Sequence, residues 1–346
     1  MKIINPSIEV MRTGLETELI QPEQFIEKVG RTCYKSEDKI TDISAAKFVS
    51  GLIARGHEAM IEHFSLIFKT DTHWYETILE DCELLLHNID IPGYEPPRPF
   101  LRFTDCQGED GEIRCIISGN MRAWRDYAKA CILGFGFIPQ YMYGIIKCNP
   151  LFFPEYLEWV PVCIVNDILA PIEVRDLTAE ERKVHQDVTV KFICDRGVSH
   201  EIVRHRAASF AQESTRYCNY SIDKFGNEIT VIAPSWCEMT TRVFDIWARS
   251  CDRAESEYFD LLISGATPQE ARSVLPNSLK TEVIMTGNLN CWEHFFKLRC
   301  ASDAHPDIQV VAKMAKAAME KTAYCDAVAT PVGYFDDHTV SGLLEE

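Results

Sequence analysis

Apolar residues recur at helical spacing along the first part of the chain. The pattern predicts helices at 21–34, 44–55 and 73–87. A short apolar run at 64–68 lies between the second and the third of these helices and is typical of a buried strand. The N-terminal part is therefore predicted as helix, helix, strand and helix.

The middle of the chain has a less regular pattern. Pro and Gly residues at 91–99 are predicted to interrupt regular structure, and 108–111 is predicted to be a hairpin turn before a strand at 113–117. A helical pattern resumes at Asn120. The aromatic and Pro-rich stretch 135–161 shows no clear period.

The C-terminal half combines strands with longer amphipathic helices. Residues 189–194 are predicted to form a half-buried strand, followed by a turn and a helix that Ser199 caps and that runs to Arg206. A second strand is predicted at 228–232. Further helices are predicted at 239–263, from Thr267, at 288–300 and at 307–324. This mixture predicts an α+β fold in which helices dominate the C-terminal half.

Composition and charge narrow the class of protein. The 346 residues are 46% apolar and 25% charged, no apolar run is long enough to cross a membrane, and the N-terminus shows no signal-peptide pattern. We therefore expect a cytoplasmic protein that does not act at a membrane. The net charge of −17 disfavours a nucleic-acid-binding protein, which needs a basic surface. Any anionic ligand would need arginines that are gathered locally.

Fourteen cysteines raise the question of a metal or disulfide framework. No Cys-x-x-Cys occurs, and the closest pairs, Cys106/Cys115 and Cys291/Cys300, are nine positions apart. Zinc sites usually take their ligands in tight pairs. We therefore expect no metal site and interpret the thiols as small buried apolar groups.

The densest group of polar side chains lies at 204–217. It offers three guanidiniums, an imidazole, hydroxyls and a carboxamide. Guanidiniums bind phosphate bidentately, and Gln or Ser can hydrogen-bond to a base or a flavin ring. The same residues would also suit a solvated basic helix end with a polar loop, or a helix that binds RNA or DNA. The residues alone leave these alternatives open.

The order of these residues resembles the signature of flavin-dependent thymidylate synthases. That signature is Arg-His-Arg, seven residues, Ser, and then Arg-Tyr. Here it is Arg204-His205-Arg206, Ser214 and Arg216-Tyr217. The match rests on uncommon residue types and on their spacing.

Three other segments are similar to the same family. Glu62-His63-Phe64 before a strand resembles its Glu-His segment, and 271–276 resembles its Ala-Arg-x-x-Leu-Pro segment. The spacings from Arg272 to Asn288 and from Asn288 to Arg299 are also similar. The resemblance extends over residues 20–70 and 188–325.

The resemblance implies an enzyme that methylates dUMP to dTMP. Its fold would be α+β, with mixed helices around an antiparallel sheet and an inserted subdomain. FAD would be the cofactor, NADPH and 5,10-methylenetetrahydrofolate the co-substrates, and dUMP and the folate the small-molecule partners. The family also implies a homotetramer whose sites are shared between subunits.

The resemblance implies two sets of site residues and one catalytic residue. The dUMP-binding set is Glu201, Arg204, Gln212, Glu213, Ser214, Arg216, Arg272 and Arg299. The FAD-binding set is His63, Ser65, Arg204, His205, Arg206, Ala207, Gln212, Asn288, Asn290 and His294. Arg299 is the expected catalytic residue, because it matches the residue to which the family assigns ionisation of uracil N3.

Several features depart from the family pattern. A long insertion separates His63 from Arg204, so we predict 1–71 as the N-terminal part of the catalytic domain, 72–187 as an insertion of unknown role, 188–330 as the part with the dUMP and FAD motifs, and 331–346 as a tail. Glu201 matches a Gln of some members, Gln212 a common Glu, and His294 a common Asn. Within the insertion, 118–124 resembles a segment of longer members.

The implied chemistry needs no nucleophile from the protein. Other thymidylate synthases activate uracil with a cysteine from a Pro-Cys segment, and this chain has no Pro-Cys dipeptide. A guanidinium at the N3–C4 edge, as Arg299 would be, instead favours the ionised base. Ser214 is expected to bind dUMP, since no activating base is evident beside it, and Cys218 is expected to be dispensable.

Two further alternatives stay open. The same motif would fit an enzyme that methylates another pyrimidine nucleotide with flavin and folate. The second alternative is a flavin-binding structural protein, in which Arg272 and Arg299 would have no function. His63 alone would fit a hydrogen-bonded core histidine, and its place beside Glu62 in the matched segment favours a role in the site.

Overall fold

The computed structural model describes residues 1–17, 20–88, 101–107, 113–161, 168–216, 218–222 and 226–323. The predicted break at 91–99, the predicted turn at 108–111, Tyr217 and the predicted tail lie outside the described residues.

Within the described residues the strands form three sheets. They are β1 (Lys2–Ile4), β2 (Ser7–Arg12), β3 (Ser65–Thr70), β4 (Arg102–Gln107), β5 (Ile113–Asn120), β6 (Ala170–Pro171), β7 (Asp187–Asp195), β8 (Ser209–Gln212), β9 (Thr230–Ile232) and β10 (Lys280–Asn288). The central sheet has the order β2-β7-β10-β8 and is antiparallel throughout. The second sheet, β4-β5-β3-β6, is also antiparallel, and β1 and β9 form a short parallel pair.

Helices surround these sheets. They are α1 (Pro22–Tyr34), α2 (Ser44–Ala54), α3 (Thr72–Asn88), α4 (Met121–Phe135), α5 (Tyr143–Cys148), α6 (Ala179–His185), α7 (Arg196–Ile202), α8 (Arg242–Ile263), α9 (Pro268–Ala271), α10 (Leu289–Arg299) and α11 (Pro306–Thr322). The combination of helices and antiparallel sheets confirms the predicted α+β class. None of the described helices is long and apolar enough to cross a membrane.

The two faces of the central sheet pack against different parts of the chain. On one face, Phe192 and Met285 belong to a buried apolar cluster with Trp292 of α10 and with residues of α11. On the other face, Ala211 and Ile284 join a second cluster that includes α1. The alternation of β10 between these clusters is what a pleated strand with two covered faces requires.

The segment predicted as an insertion packs on the N-terminal part of the chain. β3 pairs with β5 from Ser65 to Thr70, so the two parts share a sheet. They also share one buried apolar cluster, in which Leu52 of α2 lies with Trp124 and Phe153 of the insertion. The domain boundaries drawn from the sequence stay a prediction.

The burial of β7 differs from its prediction. Val188, Thr189 and Val190 are fully buried, whereas the sequence predicts a half-buried strand. β7 lies between β2 and β10, and packing covers both faces of the sheet at this end. The prediction of a half-buried strand is therefore wrong for the first half of β7.

The helix after β7 also differs from its prediction. Its cap is Asp195, whose carboxylate accepts a hydrogen bond from the N–H of Val198 at 2.7 Å. α7 ends at Ile202, so the predicted Ser199 cap and the predicted end at Arg206 are wrong. Asp195 is the cap because it is the last residue of β7, directly before α7, and its carboxylate satisfies an N–H of the first turn. The Arg-His-Arg motif thus lies in a turn beyond the helix.

Candidate active site

A row of polar side chains crosses the central sheet on the face that α1 covers. Thr286 of β10 lies opposite Thr189 of β7 on one side and Ser209 of β8 on the other. Thr189 in turn lies opposite Arg12 of β2. A bulge just before Arg12 shifts β2 by one residue, which brings Arg12 instead of Met11 into the row. Opposed residues share a face, so the four side chains line up across the four strands.

The segment Glu62-His63-Phe64 runs along this row. Ser209 Oγ donates to Glu62 Oε2 at 2.9 Å, His63 Nδ1 lies 2.7 Å from Thr286 Oγ1, and the guanidinium of Arg12 lies 4.2 Å from the centre of the Phe64 ring. Thr189 supports Thr286 through a hydroxyl–hydroxyl hydrogen bond of 2.8 Å. The sheet therefore fixes the position of each residue of the segment.

His63, which lies beside Thr286 in this row, is fully buried. Burial lowers its pKa to about 4, and the backbone of Phe210 offsets only part of that effect, so the imidazole is neutral at pH 7. Nδ1 is paired with Thr286, whereas Nε2 is buried and makes no hydrogen bond of normal geometry within the described part of the chain. A buried ring nitrogen without a partner is suited to a ligand.

Ser65 belongs to a buried ion-pair cluster next to His63. Its hydroxyl donates to the carboxylate of Asp187, and both Nη atoms of Arg102 donate to the same carboxylate at 2.7 Å. Burial raises the pKa of Asp187, but Arg102 and the Ser65 hydroxyl outweigh burial and lower it. Asp187 is opposite Asn288, so the cluster lies beside the start of α10.

The turn at 204–207 directs its arginines to solvent. Arg204, Arg206 and Ala207 are exposed, and only His205 is buried. The side chains of Arg204 and Arg206 form no hydrogen bond or ion pair with other residues in the described ranges. In a chain with 52 acidic residues against 35 basic ones, unpaired guanidiniums of this kind are suited to an anion.

Arg299 lies at the C-terminal end of α10 and reaches this turn. Its Nη1 donates to Glu201 Oε2 at 2.8 Å and its Nη2 to the carbonyl oxygen of Glu201 at 3.1 Å. Its Nε donates to His205 Nε2 at 3.0 Å. Because a guanidinium can only donate, His205 must carry its proton on Nδ1. The contacts fix the guanidinium plane and the tautomer of His205 together.

His205 is held neutral in this arrangement. Burial lowers its pKa to about 4, and the charges of Arg299 and His294 add to the effect. The ring of His294 lies 5.9 Å from the ring of His205, and the His294 side chain is exposed. A neutral imidazole can accept from Arg299 without repelling it.

The residues after β8 alternate between buried and open positions. Glu213 and Thr215 are buried, whereas Gln212 and Ser214 are half-buried and Arg216 is exposed. The carboxamide of Gln212 donates to Ser199 at 2.8 Å, which links it to α7. Gln212, Ser214 and Arg216 are therefore the members of this stretch that are open to a ligand.

Glu213 belongs to a charge network instead. Lys280 Nζ donates to Glu213 Oε2 at 3.0 Å and to Glu282 Oε1 at 2.5 Å, and Lys35 also donates to Glu282. Burial raises the pKa of Glu282, but the two lysines outweigh burial and lower it to about 2. Cys218 Sγ donates to Glu213 at 3.6 Å. The network neutralises Glu213 inside the protein.

The remaining predicted residues lie on α10 and near Arg272. Arg272 is exposed, and its Nη1 donates to Thr215 Oγ1 at 3.0 Å. Asn288 caps α10 by accepting from the N–H of Cys291 at 2.9 Å, and its Nδ2 donates to the carbonyl of Val184 at 2.9 Å. Asn288 thus shapes the start of α10, and Asn290 is exposed in the first turn.

The contacts gather the predicted residues into three groups. The first group is Glu201, His205 and Arg299, with the ring of His294 beside that of His205. The second is Arg272 with the stretch of Gln212, Ser214 and Arg216, which Arg272 reaches through Thr215. The third is His63, Ser65 and Asn288, in which Ser65 donates to Asp187, the residue opposite Asn288. Gln212 and Ser199 connect the second group to α7, which carries Glu201. Within the described residues no group of His, Cys, Asp and Glu side chains is placed to hold a metal ion.

Comparison with known proteins finds a family model that matches the C-terminal part of the chain. The model of the family described as thymidylate synthase complementing protein, Thy1, matches residues 183–323. We call the matched residues the Thy1 region. The Thy1 region contains most of the central sheet, the Arg-His-Arg turn, Arg272 and α10, and it begins just before β7.

The Thy1 region is also similar to proteins named flavin-dependent thymidylate synthase. The chain is 34% identical to the protein of Pyrococcus furiosus over 119 residues, which are 34% of this chain and 48% of that protein. It is 37% identical to the Geobacter sulfurreducens protein over 117 residues, 34% of this chain and 49% of the relative. It is 28% identical to the Mycolicibacterium gilvum protein over 165 residues, 43% and 60% of the two chains. The matches span about half the length of these relatives.

Several residues of the site are not predicted by the sequence. Arg12, Arg102 and Asp187 lie outside every recognised motif, and Thr286, two residues before Asn288, matches none of the quoted positions; the fold brings all four to the segment 63–65. Glu62 is adjacent to His63 in a recognised segment, and this adjacency is the sequence signal for its place near the site.

Proposed function

We propose that this chain is a flavin-dependent thymidylate synthase, which methylates dUMP to dTMP with 5,10-methylenetetrahydrofolate as carbon donor and FAD reduced by NADPH. The observation that carries the proposal is Arg299, a guanidinium oriented by Glu201 and by neutral His205 beside unpaired arginines. The Thy1 match over 183–323 and the named relatives support it.

The unpaired arginines suit the phosphate of dUMP. Arg204, Arg206 and Arg272 form no ion pair with other residues in the described ranges, so binding a phosphate would not have to displace a carboxylate. A guanidinium binds phosphate with two parallel hydrogen bonds. In our proposal the dUMP site consists of Glu201, Arg204, Gln212, Ser214, Arg216, Arg272 and Arg299. We leave out Glu213, because its carboxylate is buried and accepts from Lys280.

Arg299 would act on the uracil ring. A fixed positive charge at the N3–C4 edge favours the ionised base and stabilises charge that develops there. Glu201 and His205 prevent the guanidinium from rotating, which reduces the reorganisation needed during the reaction. Glu201 acts through Arg299 and is in this sense a positioning residue.

The residues around His63 fit a flavin. Nε2 of His63 is a buried polar atom without a hydrogen-bond partner among the described residues. Ser65 donates to Asp187, which lies opposite Asn288 at the start of α10, and Asn290 is exposed in the first turn of that helix. We propose that FAD is held by His63, Ser65, Arg204, His205, Arg206, Ala207, Gln212, Asn288, Asn290 and His294. When bound and reduced, FAD supplies the hydride that converts a transferred methylene to methyl. Neutral His63 would donate or accept a hydrogen bond without adding charge.

The resemblance of the motifs to those of flavin-dependent thymidylate synthases supports a site that is shared between subunits. We propose a homotetramer in which groups from different copies complete one another. The cytoplasmic location and the absence of a nucleic-acid partner, both expected from the sequence, stay predictions.

The first test of the proposal is uptake of FAD. We expect purified protein incubated with FAD and passed through a desalting column to keep about one FAD per subunit, seen as flavin absorbance. Arg206→Ala should weaken FAD binding, because it removes an unpaired guanidinium. Arg175→Ala is the matched control, since Arg175 is an exposed arginine that pairs with Glu173 far from the site in sequence. A wild-type protein that takes up no FAD would contradict the proposal.

A further inference from the structure

We infer that the inserted segment 72–187 is a positioning element of the proposed active site, and that Arg122 and Arg102 hold the segment 62–65 against the central sheet. The inference rests on the proposed function, because it concerns how His63 and Ser65 are placed for the flavin. It assigns a role to an insertion whose role the sequence leaves open.

Glu62 connects the insertion to the Arg-His-Arg region. One carboxylate oxygen, Oε2, accepts from Ser209, which lies five residues after Arg204 in the signature. The other, Oε1, accepts from Arg122 Nη1 at 2.6 Å. Burial lowers the pKa of Arg122, but Glu62, together with Asp126 at 3.5 Å and Glu58, outweighs burial and the net shift is upward. Because both oxygens of Glu62 are engaged, Arg122 limits the rotation of the same carboxylate that Ser209 uses.

Ser65 is held from the insertion as well. Arg102 of β4 forms a two-pronged ion pair with Asp187, and its Nη2 also lies 3.4 Å from Ser65 Oγ. The Ser65 hydroxyl donates to the same carboxylate. Arg102 thereby fixes the residue that follows Phe64, at the far end of the segment from Glu62.

The backbone of the insertion continues these contacts. The N–H of Met121 donates to the carbonyl of Phe64 at 2.9 Å, and the β3–β5 ladder begins with Ser65 opposite Asn120. The next pair places Gly119 opposite Leu66, and a Cβ on Gly119 would lie 2.5 Å from Leu101 Cδ2. Leu101, which directly precedes β4, therefore packs over Gly119, and a larger residue at 119 would have to displace its side chain.

Contacts of Ser118, Asn120 and Trp124 hold the stretch 118–124 in place. Ser118 Oγ is paired with His185 Nδ1 at 2.8 Å, Asn120 caps α4 by accepting from the N–H of Ala123 at 2.8 Å, and Trp124 is fully buried in the shared apolar cluster. Anchored at both ends in this way, the stretch presents Arg122 to Glu62. The segment 62–65 is therefore held by the polar row on its sheet side and by the insertion on the other.

The ion pair of Arg122 suits positioning better than stability. The Arg122 side chain is 43% exposed and that of Glu62 22% exposed. Ion pairs of such exposure contribute little to folding, because water screens them and ordering two side chains costs entropy. Removing Arg122 should therefore leave the protein folded but let Glu62 turn away from Ser209. The effect is expected in ligand binding and turnover.

A double-mutant cycle on the full-length protein tests this. The variants are Arg122→Gln, Glu62→Gln and the double variant, with Arg122→Lys as the conservative exchange. Arg175→Gln is the matched control, because Arg175 also lies in the insertion and pairs with Glu173 at 2.5 Å, with both side chains more than half exposed. For each we would measure FAD affinity by flavin fluorescence, kcat and KM for dUMP, and the thermal midpoint.

We expect Arg122→Gln and Glu62→Gln each to weaken FAD binding or lower kcat by about three- to tenfold, and the double variant to be no worse than the poorer single variant. KM for dUMP and the thermal midpoint should stay near those of Arg175→Gln, and Arg122→Lys should recover part of the loss. The inference would be overturned if Arg122→Gln and Arg175→Gln had the same FAD affinity and kcat. It would also be overturned if the effects of the two single variants added in the double variant. A wild-type protein without FAD binding or dTMP formation would instead contradict the proposed function.

Discussion

Cys218 illustrates how the neighbours of a side chain decide its chemistry. It follows the Arg216-Tyr217 pair of the signature, so arginines nearby could have lowered its pKa and made it a nucleophile. The fold places its thiol against Glu213 instead. Burial and this carboxylate both raise the pKa of Cys218, to about 12, so the thiolate is scarce at neutral pH.

We therefore predict that Cys218→Ser retains substantial dTMP formation. The serine hydroxyl can still donate to Glu213, so the charge network should persist. The measurement is single-turnover formation of dTMP with FAD reduced beforehand. A drop of several orders of magnitude with FAD and dUMP still bound would assign the cysteine a covalent role and refute a mechanism without a protein nucleophile.

The residues within recognised motifs are those whose proximity in the fold the sequence could predict. Arg299 and His205 come together as expected of one site. Glu213 shows what the sequence could not predict, because a position within a motif does not determine the orientation of its side chain. Burial of Glu213 depends on Lys280, a partner 67 positions away that no local pattern reveals.

Most helices could be predicted, and strands were harder. α1, α2, α8, α10 and α11 lie within a few residues of their predicted bounds, because each carries an amphipathic pattern or a cap. β10 is absent from the prediction although it is an inner strand of the main sheet. Seven of its nine positions are buried on two faces, so its sequence shows no alternation of apolar and polar residues.

Buried histidines lie where elements meet. His63 joins the segment before β3 to β10, His205 joins the turn after α7 to α10, and His185 ends α6 with hydrogen bonds to Ser118 and Thr104. Burial is the main cause that lowers the pKa of each to about 4. In the unfolded chain an imidazole has a pKa of about 6.5.

We predict that the free energy of unfolding falls as the pH drops from about 6.5 to 4. In that range the unfolded state binds protons that the folded state refuses, and the loss at pH 5 should be on the order of 1–2 kcal/mol per buried histidine. Urea unfolding at pH 7, 6 and 5 measures the slope. His185→Gln keeps hydrogen-bonding groups for Ser118 and Thr104 but cannot titrate, so its slope should be shallower. A slope equal to that of the wild type would show that His185 does not contribute to the pH dependence of the free energy of unfolding.

For the whole molecule, the net charge of −17 is compatible with the anionic substrate that we propose, because the unpaired guanidiniums are concentrated in a few turns. The insertion shares its sheet and its apolar core with the N-terminal part, and it contacts the segment that carries His63. The composition predicts the acidic surface but not this arrangement, since it depends on pairings between distant strands.

The most direct test of the account is dTMP formation from dUMP by the purified protein with FAD, NADPH and methylenetetrahydrofolate labelled in its one-carbon unit. We expect labelled dTMP that requires all of these components, and a fall on the order of 100-fold or more in Arg299→Ala while NADPH still reduces the flavin. Absence of labelled dTMP from wild-type protein with FAD bound, or labelling of a different pyrimidine nucleotide, would contradict the proposed function.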